Sequence, residues 1–590
     1  MPVVTVDQLN VRYPGRKVPA LDAVSVAVEA GQIVSVAGRT GAGKSTLCLA
    51  VAGLLPRVVR ASVSGRVLVG SVDVTRSTQS DTAGRVGIVF SSPGLQLSSS
   101  KPNVREELAF GLENLAVPRD DMDERIDRVM GRLGIAHLAD RDPLTLSGGE
   151  QQRVAIASIV VMGTDVLVLD EPAAQLDPLG TDEIAGLLRG LANDGRAVLV
   201  AEHSAEILAV SDRCIVLASG RVVSTGLPGA ALADSVAAVG IGPPTLVVLA
   251  MAGGVPPAEA FNEEAVARAL AGAGSRAAHL EAATSTRVER ATGSGAAFVR
   301  DVTPATLEIR GLVHRYPGGV EALRGVDLTV QPGSTVAIVG QNGSGKTTLA
   351  KHLNGLLRPD AGHVALDGQD ISARLVSDLA GQIGFVFQNP DDQLFNSRVD
   401  REVGFGPRNL GLEPSRIARL VENALGLTGL EGERATNPYD LDIPVRKLVA
   451  LAGVLAMEPS VLVLDEPTMS QDRAGTRRVG SIVDAWAASG RTVIAITHDM
   501  EFAARHFARI VVMREGVIVL DEPPSQAFAA QNATLLETTG LKPPPAARVA
   551  SRMGLSGAPA DADALLEMLA ARDQRALARS EGYSDEATTS

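Results

Sequence analysis

Val34-Ser35-Val36-Ala37-Gly38-Arg39-Thr40-Gly41-Ala42-Gly43-Lys44-Ser45-Thr46-Leu47 decides the fold, because it returns as Val336-Ala337-Ile338-Val339-Gly340-Gln341-Asn342-Gly343-Ser344-Gly345-Lys346-Thr347-Thr348-Leu349. Each copy is a short β-branched run, a turn of pattern G-x-x-x-x-G-K-[S/T], and a helix-like segment (46–54 and 348–356). That strand–loop–helix context gives the motif its meaning. Glycine lets the backbone curl until successive N–H groups converge on phosphate oxygens, and the following helix turns its positive end to the same anion. Lys44 and Lys346 add a full charge, and Ser45 and Thr347 offer a hydroxyl to Mg²⁺. With seven lysines against 48 arginines, two matched lysines in this pattern are not an accident of composition.

Working outward, other landmarks recur at a near-constant spacing of 295 to 303 residues. Val166-Leu167-Val168-Leu169-Asp170-Glu171-Pro172 returns as Val461-Leu462-Val463-Leu464-Asp465-Glu466-Pro467, and His203 pairs with His498. Tyr13-Pro14 pairs with Tyr316-Pro317, and Gly240-Ile241-Gly242-Pro243-Pro244 with Gly540-Leu541-Lys542-Pro543-Pro544. Such self-similarity means two homologous halves. The expected division is a first P-loop domain over 1–240, an appendage and Ala/Gly-rich linker over 241–304, a second P-loop domain over 305–535, and a C-terminal appendage over 536–590. Within the linker, 258–280 reads as helical and 291–297 as flexible. The last segment reads as a helix over 561–577 and a frayed end over 580–590.

Short apolar runs (33–37, 166–169, 198–201, 493–496) alternating with helical segments predict buried, mostly parallel strands. The class is α/β: two tandem P-loop domains, each a sheet covered by helices. A carboxylate closing such a strand beside the loop, as Asp170 and Asp465 do, is placed to hold Mg²⁺ through water. Glu171 and Glu466 next to them are placed to polarise an attacking water.

Composition limits the partners. The 590 residues carry 55 Lys+Arg and 68 Asp+Glu, a net charge of −13, the opposite of the basic footprint of a nucleic-acid binder. Two cysteines, Cys48 and Cys214, cannot build a disulfide scaffold, a four-cysteine zinc site or an iron–sulfur cluster, and they fit a reducing cytosol. The apolar runs 154–162 and 448–457 end at Asp165 and Glu458, short of the ~20 residues a spanning helix needs. No basic, then apolar, leader opens the chain. The expected location is the cytoplasm, at the membrane only through partners.

Leu146-Ser147-Gly148-Gly149-Glu150-Gln151-Gln152-Arg153 precedes Asp170 by a short interval. It resembles the signature motif of ABC-type ATPases. With the loops, the Asp-Glu pairs and the two histidines, the resemblance covers about 3–232 and 307–535. The family implies head-to-tail pairing, each ATP lying between one P-loop and the other half's signature. Ser147, Gly148, Gly149 and Glu150 would then face the nucleotide held by Lys346. The resemblance also assigns Tyr13 and Tyr316 to stacking on adenine, His203 and His498 to the γ-phosphate, and Gln388 to Mg²⁺ and the attacking water.

The halves are unequal. In gapless register, Leu441-Asp442-Ile443-Pro444-Val445-Arg446-Lys447-Leu448 replaces the signature. Asp442 puts a carboxylate where a hydroxyl stood, worth roughly 3 kcal/mol of repulsion per phosphate charge at ~5 Å and an effective dielectric near 20. Ile443 loses glycine's freedom, and Pro444 has no N–H. In the first half Ser91 stands where the second has Gln388, with Gln96 against Gln393. Under head-to-tail pairing both defects fall in the site of Lys44, predicting one fast and one slow site.

Gln388–Leu394, Glu402–Leu410 with its counterpart Glu107–Leu115, and Gly540–Pro544 resemble energy-coupling-factor (ECF) ATPases, including fused forms. That family implies import of a vitamin, or of cobalt or nickel, with an integral scaffold subunit and a small substrate-binding membrane subunit. It implies a place at the cytoplasmic face of the membrane. The competing class is a soluble tandem ATPase acting on ribosomes or nucleic acid, against which the acidic balance and the two cysteines argue.

Overall fold

The computed structural model describes residues 2–174, 176–239, 243–273 and 305–582. The linker expectation over 291–297, part of the Gly240–Pro244 segment, the end of the 258–280 helix and the tail from 583 onward lie outside the described residues. The chain forms two compact units, one of 1–247 with 256–261, the other of 248–255 with 262–590.

In the first unit, β3 (Ile33–Gly38), β6 (Val86–Val89), β7 (Val166–Asp170), β8 (Ala197–Ala201), β9 (Arg213–Ala218) and β10 (Arg221–Gly226) form a sheet of order β10-β9-β3-β8-β7-β6. All neighbours are parallel except β10, which pairs antiparallel to β9. Both faces are covered, and β7 shows how. Val166 and Val168 enter one core, with the strands and the P-loop helix (Lys44–Val51), while Leu167 and Leu169 enter the other, beneath the signature helix (Gly148–Val160). Period-two alternation with apolar residues on both sides reads as a continuous run in sequence. Each such side chain contributes about 1.5–3 kcal/mol on burial.

A second sheet, β1 (Pro2–Arg12), β2 (Leu21–Glu29), β4 (Ser62–Val69) and β5 (Val72–Asp73), is antiparallel with order β2-β1-β4-β5. The sequence reading, which spoke of mostly parallel strands, did not separate it. The reason is a bulge: Val4 and Val6 face the core, then Gln8 takes φ 47° and the register shifts, so Leu9 and Val11 face the core out of phase. Such an insertion flips the facing of every later residue.

The second unit repeats the plan. β13 (Thr335–Val339), β16 (Ile383–Val386), β17 (Val461–Asp465), β18 (Thr492–Ile496), β19 (Arg509–Arg514) and β20 (Val517–Glu522) run β16-β17-β18-β13-β19-β20. β11 (Leu307–Arg315), β12 (Glu321–Val330), β14 (Ala361–Leu366) and β15 (Gln369–Asp370) form the antiparallel sheet. The β11 bulge falls at Gly311, φ 54°. Also in this unit, a helix over Glu263–Ala273 packs on one over Pro545–Arg552, where Arg548 Nε and Arg552 Nε reach Glu263 at 2.7 and 3.1 Å. The terminal helix spans Ala562–Gly582. Among the described residues no helix is long and apolar enough to cross a membrane.

Candidate functional site

Strand order assembles each site. β8 lies between β3 and β7, and β18 between β13 and β17. In each unit the P-loop, the Asp-Glu pair and the histidine therefore leave three adjacent strands at their carboxyl ends, where parallel sheets bind ligands. The loops need their glycines. Gly43 and Gly345 cap the P-loop helices at φ 107° and 100°, and a Cβ on either would sit 2.5 Å from a backbone carbonyl, Ala20 O or Ala322 O.

The loop lysines are buried and curl over their own loops. Lys44 Nζ donates to Gly38 O at 3.0 Å and Arg39 O at 3.3 Å, and Lys346 Nζ donates to Gly340 O and Gln341 O, each at 2.8 Å. The Tyr13 hydroxyl meets Thr46 Oγ1 at 3.2 Å, and that of Tyr316 meets Thr348 Oγ1 at 3.1 Å. Both rings are thereby fastened to the first turn of a P-loop helix. Thr40, Gly41, Ala42, Asn342, Gly343 and Ser344 complete the loops.

Ser45 Oγ donates to Asp170 Oδ1 at 3.0 Å, and Thr347 Oγ1 to Asp465 Oδ1 at 3.4 Å. Burial, with the neighbouring glutamate, pushes both aspartates up to about 6 against the opposing hydroxyl bond. Two carboxylates so reluctant to ionise beside a hydroxyl fit a small hard cation that takes few protein ligands and leaves the rest to phosphate and water, as Mg²⁺ does. Among the described residues no cluster of three or more His, Cys, Asp or Glu is arranged to hold a metal by itself.

Glu171 and Glu466 take left-handed backbone, φ 51° and 50°, at matched positions. A non-glycine residue holds that conformation only where its surroundings enforce it. Each N–H is tied to the histidine strand, Glu171 to Ala201 O at 2.8 Å and Glu466 to Ile496 O at 2.9 Å. The side chains then diverge. Glu466 Oε2 lies 2.8 Å from His498 Nδ1, whereas Glu171 Oε1 lies 3.6 Å from His203 Nε2 and 3.7 Å from Lys44 Nζ. Burial, the largest single influence, works against ionisation of both glutamates, but the partner histidine and the loop lysine together outweigh it, so both are held below the usual carboxylate range. Burial likewise opposes charge on His498, and Glu466 outweighs it and raises the imidazole.

Ser147, Gly148, Gly149 and Glu150 start the signature helix with a reciprocal cap. The Ser147 N–H and Oγ–H both donate to Glu150 Oε2 at 2.8 Å, and the Glu150 N–H donates to Ser147 Oγ at 3.4 Å. This is the S-x-x-E capping box. Its counterpart helix (Ile443–Leu455) begins at Asp442 with no side-chain cap bond and Pro444 in its first turn. The register behind this comparison is carried by matching single turns, Pro143–Thr145 and Pro438–Asp440. Instead of a cap, Gln471 Nε2 donates to Pro444 O at 2.9 Å and Arg446 Nη1 meets Asp391 Oδ1 at 2.6 Å. The exposed Gln388 reaches Met469 Sδ at 3.4 Å. Gln96 is no replacement for it in the first half, because its amide is spent on Phe90 N–H and Ile88 O, both at 3.0 Å. Ser91 remains at the aligned position.

Two residues escaped the sequence reading. Glu202 is buried, accepts from His203 N–H at 2.7 Å and Ala173 N–H at 3.1 Å, and is pushed up by burial. Its counterpart is Thr497. Lys447 is buried under Glu466, and its counterpart is Gln152. The 295-residue offset that paired His203 with His498 pairs these as well: it already sets Lys447 against Gln152 in the aligned signature segments, where only its burial under Glu466 was missed, and applied one residue before the histidines it would have exposed Glu202 against Thr497.

Comparison with protein families matches the ABC transporter family twice, over 21–174 and 323–469. An ABC transporter ATP-binding protein of Methanosarcina acetivorans is 38% identical over 562 residues, covering 93% of this chain and 90% of that one. One of Streptomyces coelicolor is 35% identical over 550 residues, covering 90% and 95%. Among solved structures, cbiO1 of Clostridium perfringens, part of the ABC transporter complex cbiONQ, is similar at 35% identity and a TM-score of 0.36, covering 40% of this chain and 96% of that one. The chain belongs to the ABC transporter ATP-binding family. It carries two α/β P-loop ATPase domains in tandem, binds ATP and hydrolyses it.

Proposed function

We propose that the chain is the ATP-hydrolysing subunit of an ECF-type importer for a vitamin or transition metal, with both ATPase domains on one polypeptide. The domains pair head to tail, so that the nucleotide on Lys346 meets Ser147–Glu150 and the nucleotide on Lys44 meets Asp442–Pro444. The observation that carries this reading is complementarity. The capped signature occurs only in the first half, and the close Glu466–His498 pair with Gln388 only in the second, so pairing unites the intact parts in one site.

In that site Glu466 takes a proton from water as it attacks the γ-phosphate, and His498 holds Glu466 in place and reaches the same phosphate. Lys346 and the loop N–H groups steady the charge that spreads over the phosphate oxygens. Ser147 and the helix start behind it supply donors from the other side. Asp465, Thr347 and Gln388 would hold Mg²⁺, as Asp170 and Ser45 would in the other half; the ion supplies charge neutralisation between the phosphates. The site on Lys44 binds ATP and turns over slowly.

The chain reaches the cytoplasmic face of the membrane through an integral scaffold subunit and a small substrate-binding subunit. Resemblance of Gln388–Leu394, Glu402–Leu410 and Gly540–Pro544 to ECF ATPases supports this, as does the acidic charge against a nucleic-acid role. Affinity purification of the full chain from solubilised membranes tests it: an integral subunit should co-purify. Recovery with ribosomes or nucleic acid instead would reject the transport reading.

A further inference from the structure

We infer that Lys447 is a positioning residue for Glu466, fixing the strained peptide that aims the hydrolytic carboxylate; this rests on Glu466 acting as the base. Lys447 lies on the helix that replaces the signature, is 4% exposed, and donates from Nζ to the main-chain oxygen of Glu466 at 3.0 Å. That oxygen belongs to the residue held at φ 50°. The peptide before Glu466 is held through its N–H by Ile496 O, and the bond from Lys447 holds the peptide after it, so both peptides flanking the left-handed residue are fixed.

Three observations separate this from ordinary packing. An ammonium is costly to bury without partners, and this chain uses arginine almost seven times as often as lysine. Yet its buried lysines among the described residues are Lys44, Lys346 and Lys447, two of them in phosphate loops. Further, the matched position in the first half is Gln152, 2% exposed, whose Nε2 has no hydrogen-bond partner. The geometry there is the same, φ 51° at Glu171, but the side-chain tether is missing. Finally, burial lowers Lys447 to about 8 while Glu466 and Asp465 favour its charge, so the ammonium sits among the two acids that the reaction uses.

The test is ATP turnover of the purified full chain. Lys447→Gln copies a residue the first half already packs in this place, so folding is expected, and thermal unfolding checks it. Turnover number should fall about tenfold with KM for ATP within about twofold, since the nucleotide's own contacts are untouched. Lys447→Arg, which restores a charged donor, should recover part of the loss. In a Glu466→Gln background, Lys447→Gln should add less than about twofold, because a residue acting through Glu466 has nothing left to position. A Lys447→Gln protein within about twofold of wild type, or a full tenfold loss persisting in the Glu466→Gln background, overturns the assignment. Undiminished turnover by Glu466→Gln alone would instead reject the reading of Glu466 as base.

Discussion

Around Lys44 stand three buried or half-buried acids, Asp170, Glu171 and Glu202; around Lys346 stand two, Asp465 and Glu466, and a second lysine, Lys447. One centre therefore carries an extra acid and the other an extra base, on strands that superpose in order and register. The glutamate–histidine contact differs as well: Glu171 Oε1 lies 3.6 Å from His203 Nε2 in the first, and Glu466 Oε2 lies 2.8 Å from His498 Nδ1 in the second. The charges packed behind the shared Lys, Asp, Glu and His therefore differ between the two centres, in addition to the signature replaced at Asp442–Pro444 and the Ser91 that stands against Gln388.

The contrast can be broken most directly at the two glutamates. Glu466→Gln should lower ATP turnover of the full chain a hundredfold or more, the usual scale for a general base, and Glu171→Gln by less than about threefold. Equal losses would end the asymmetry.

Stability gives the next largest effect. Asp465 is raised from 3.8 to about 6, so the stability this group contributes is fully present below pH ~4 and is lost as pH rises through about 6. The elevation corresponds to about 3 kcal/mol. Asp465→Asn should accordingly raise the thermal unfolding midpoint of the nucleotide-free chain at pH 7.5, with little effect at pH 4, and Asp170→Asn should do the same. Calorimetry with and without Mg²⁺ and ATP sharpens the comparison, because a bound cation should erase the advantage of either variant.

Repair of the weak centre comes third. Asp442→Ser, Ile443→Gly and Pro444→Gly together with Ser91→Gln, made in the Glu466→Gln background, should raise the residual turnover about tenfold. No gain would place the defect elsewhere. The smallest effect belongs to Glu202→Thr, which copies the second half: total turnover should stay within about twofold, and a larger change would show that the first centre carries much of the flux.

The sequence spoke clearly where function is written locally. A glycine-rich turn between a β-run and a helix, an acidic pair closing four apolar residues, and Ser147 three residues before Glu150 are each legible from spacing alone. The antiparallel sheets were hidden because a single left-handed residue, Gln8 or Gly311, shifts the alternation by one. Glu202 and Lys447 were hidden for a different reason. A charged residue on a helix or after a strand is ordinarily solvated, and only the packing of Lys447 against the Glu466 peptide, or of Glu202 under the His203 turn, reveals otherwise. The signature loss at Asp442 was visible, but its replacement by bonds from Gln471 and Arg446 depends on loops distant in the chain.

Asp442 and Lys447 begin one rigid rod, Ile443–Leu455, five residues apart and so about 7.5 Å along its axis. The next turn of the rod bonds the main-chain oxygen of Glu466, and under the head-to-tail pairing proposed above its first residues would meet the triphosphate of the slow centre. A shift of the rod on filling the slow centre would then change turnover at the fast one, and only the part of that coupling that appears in nucleotide affinity is bound to be mutual.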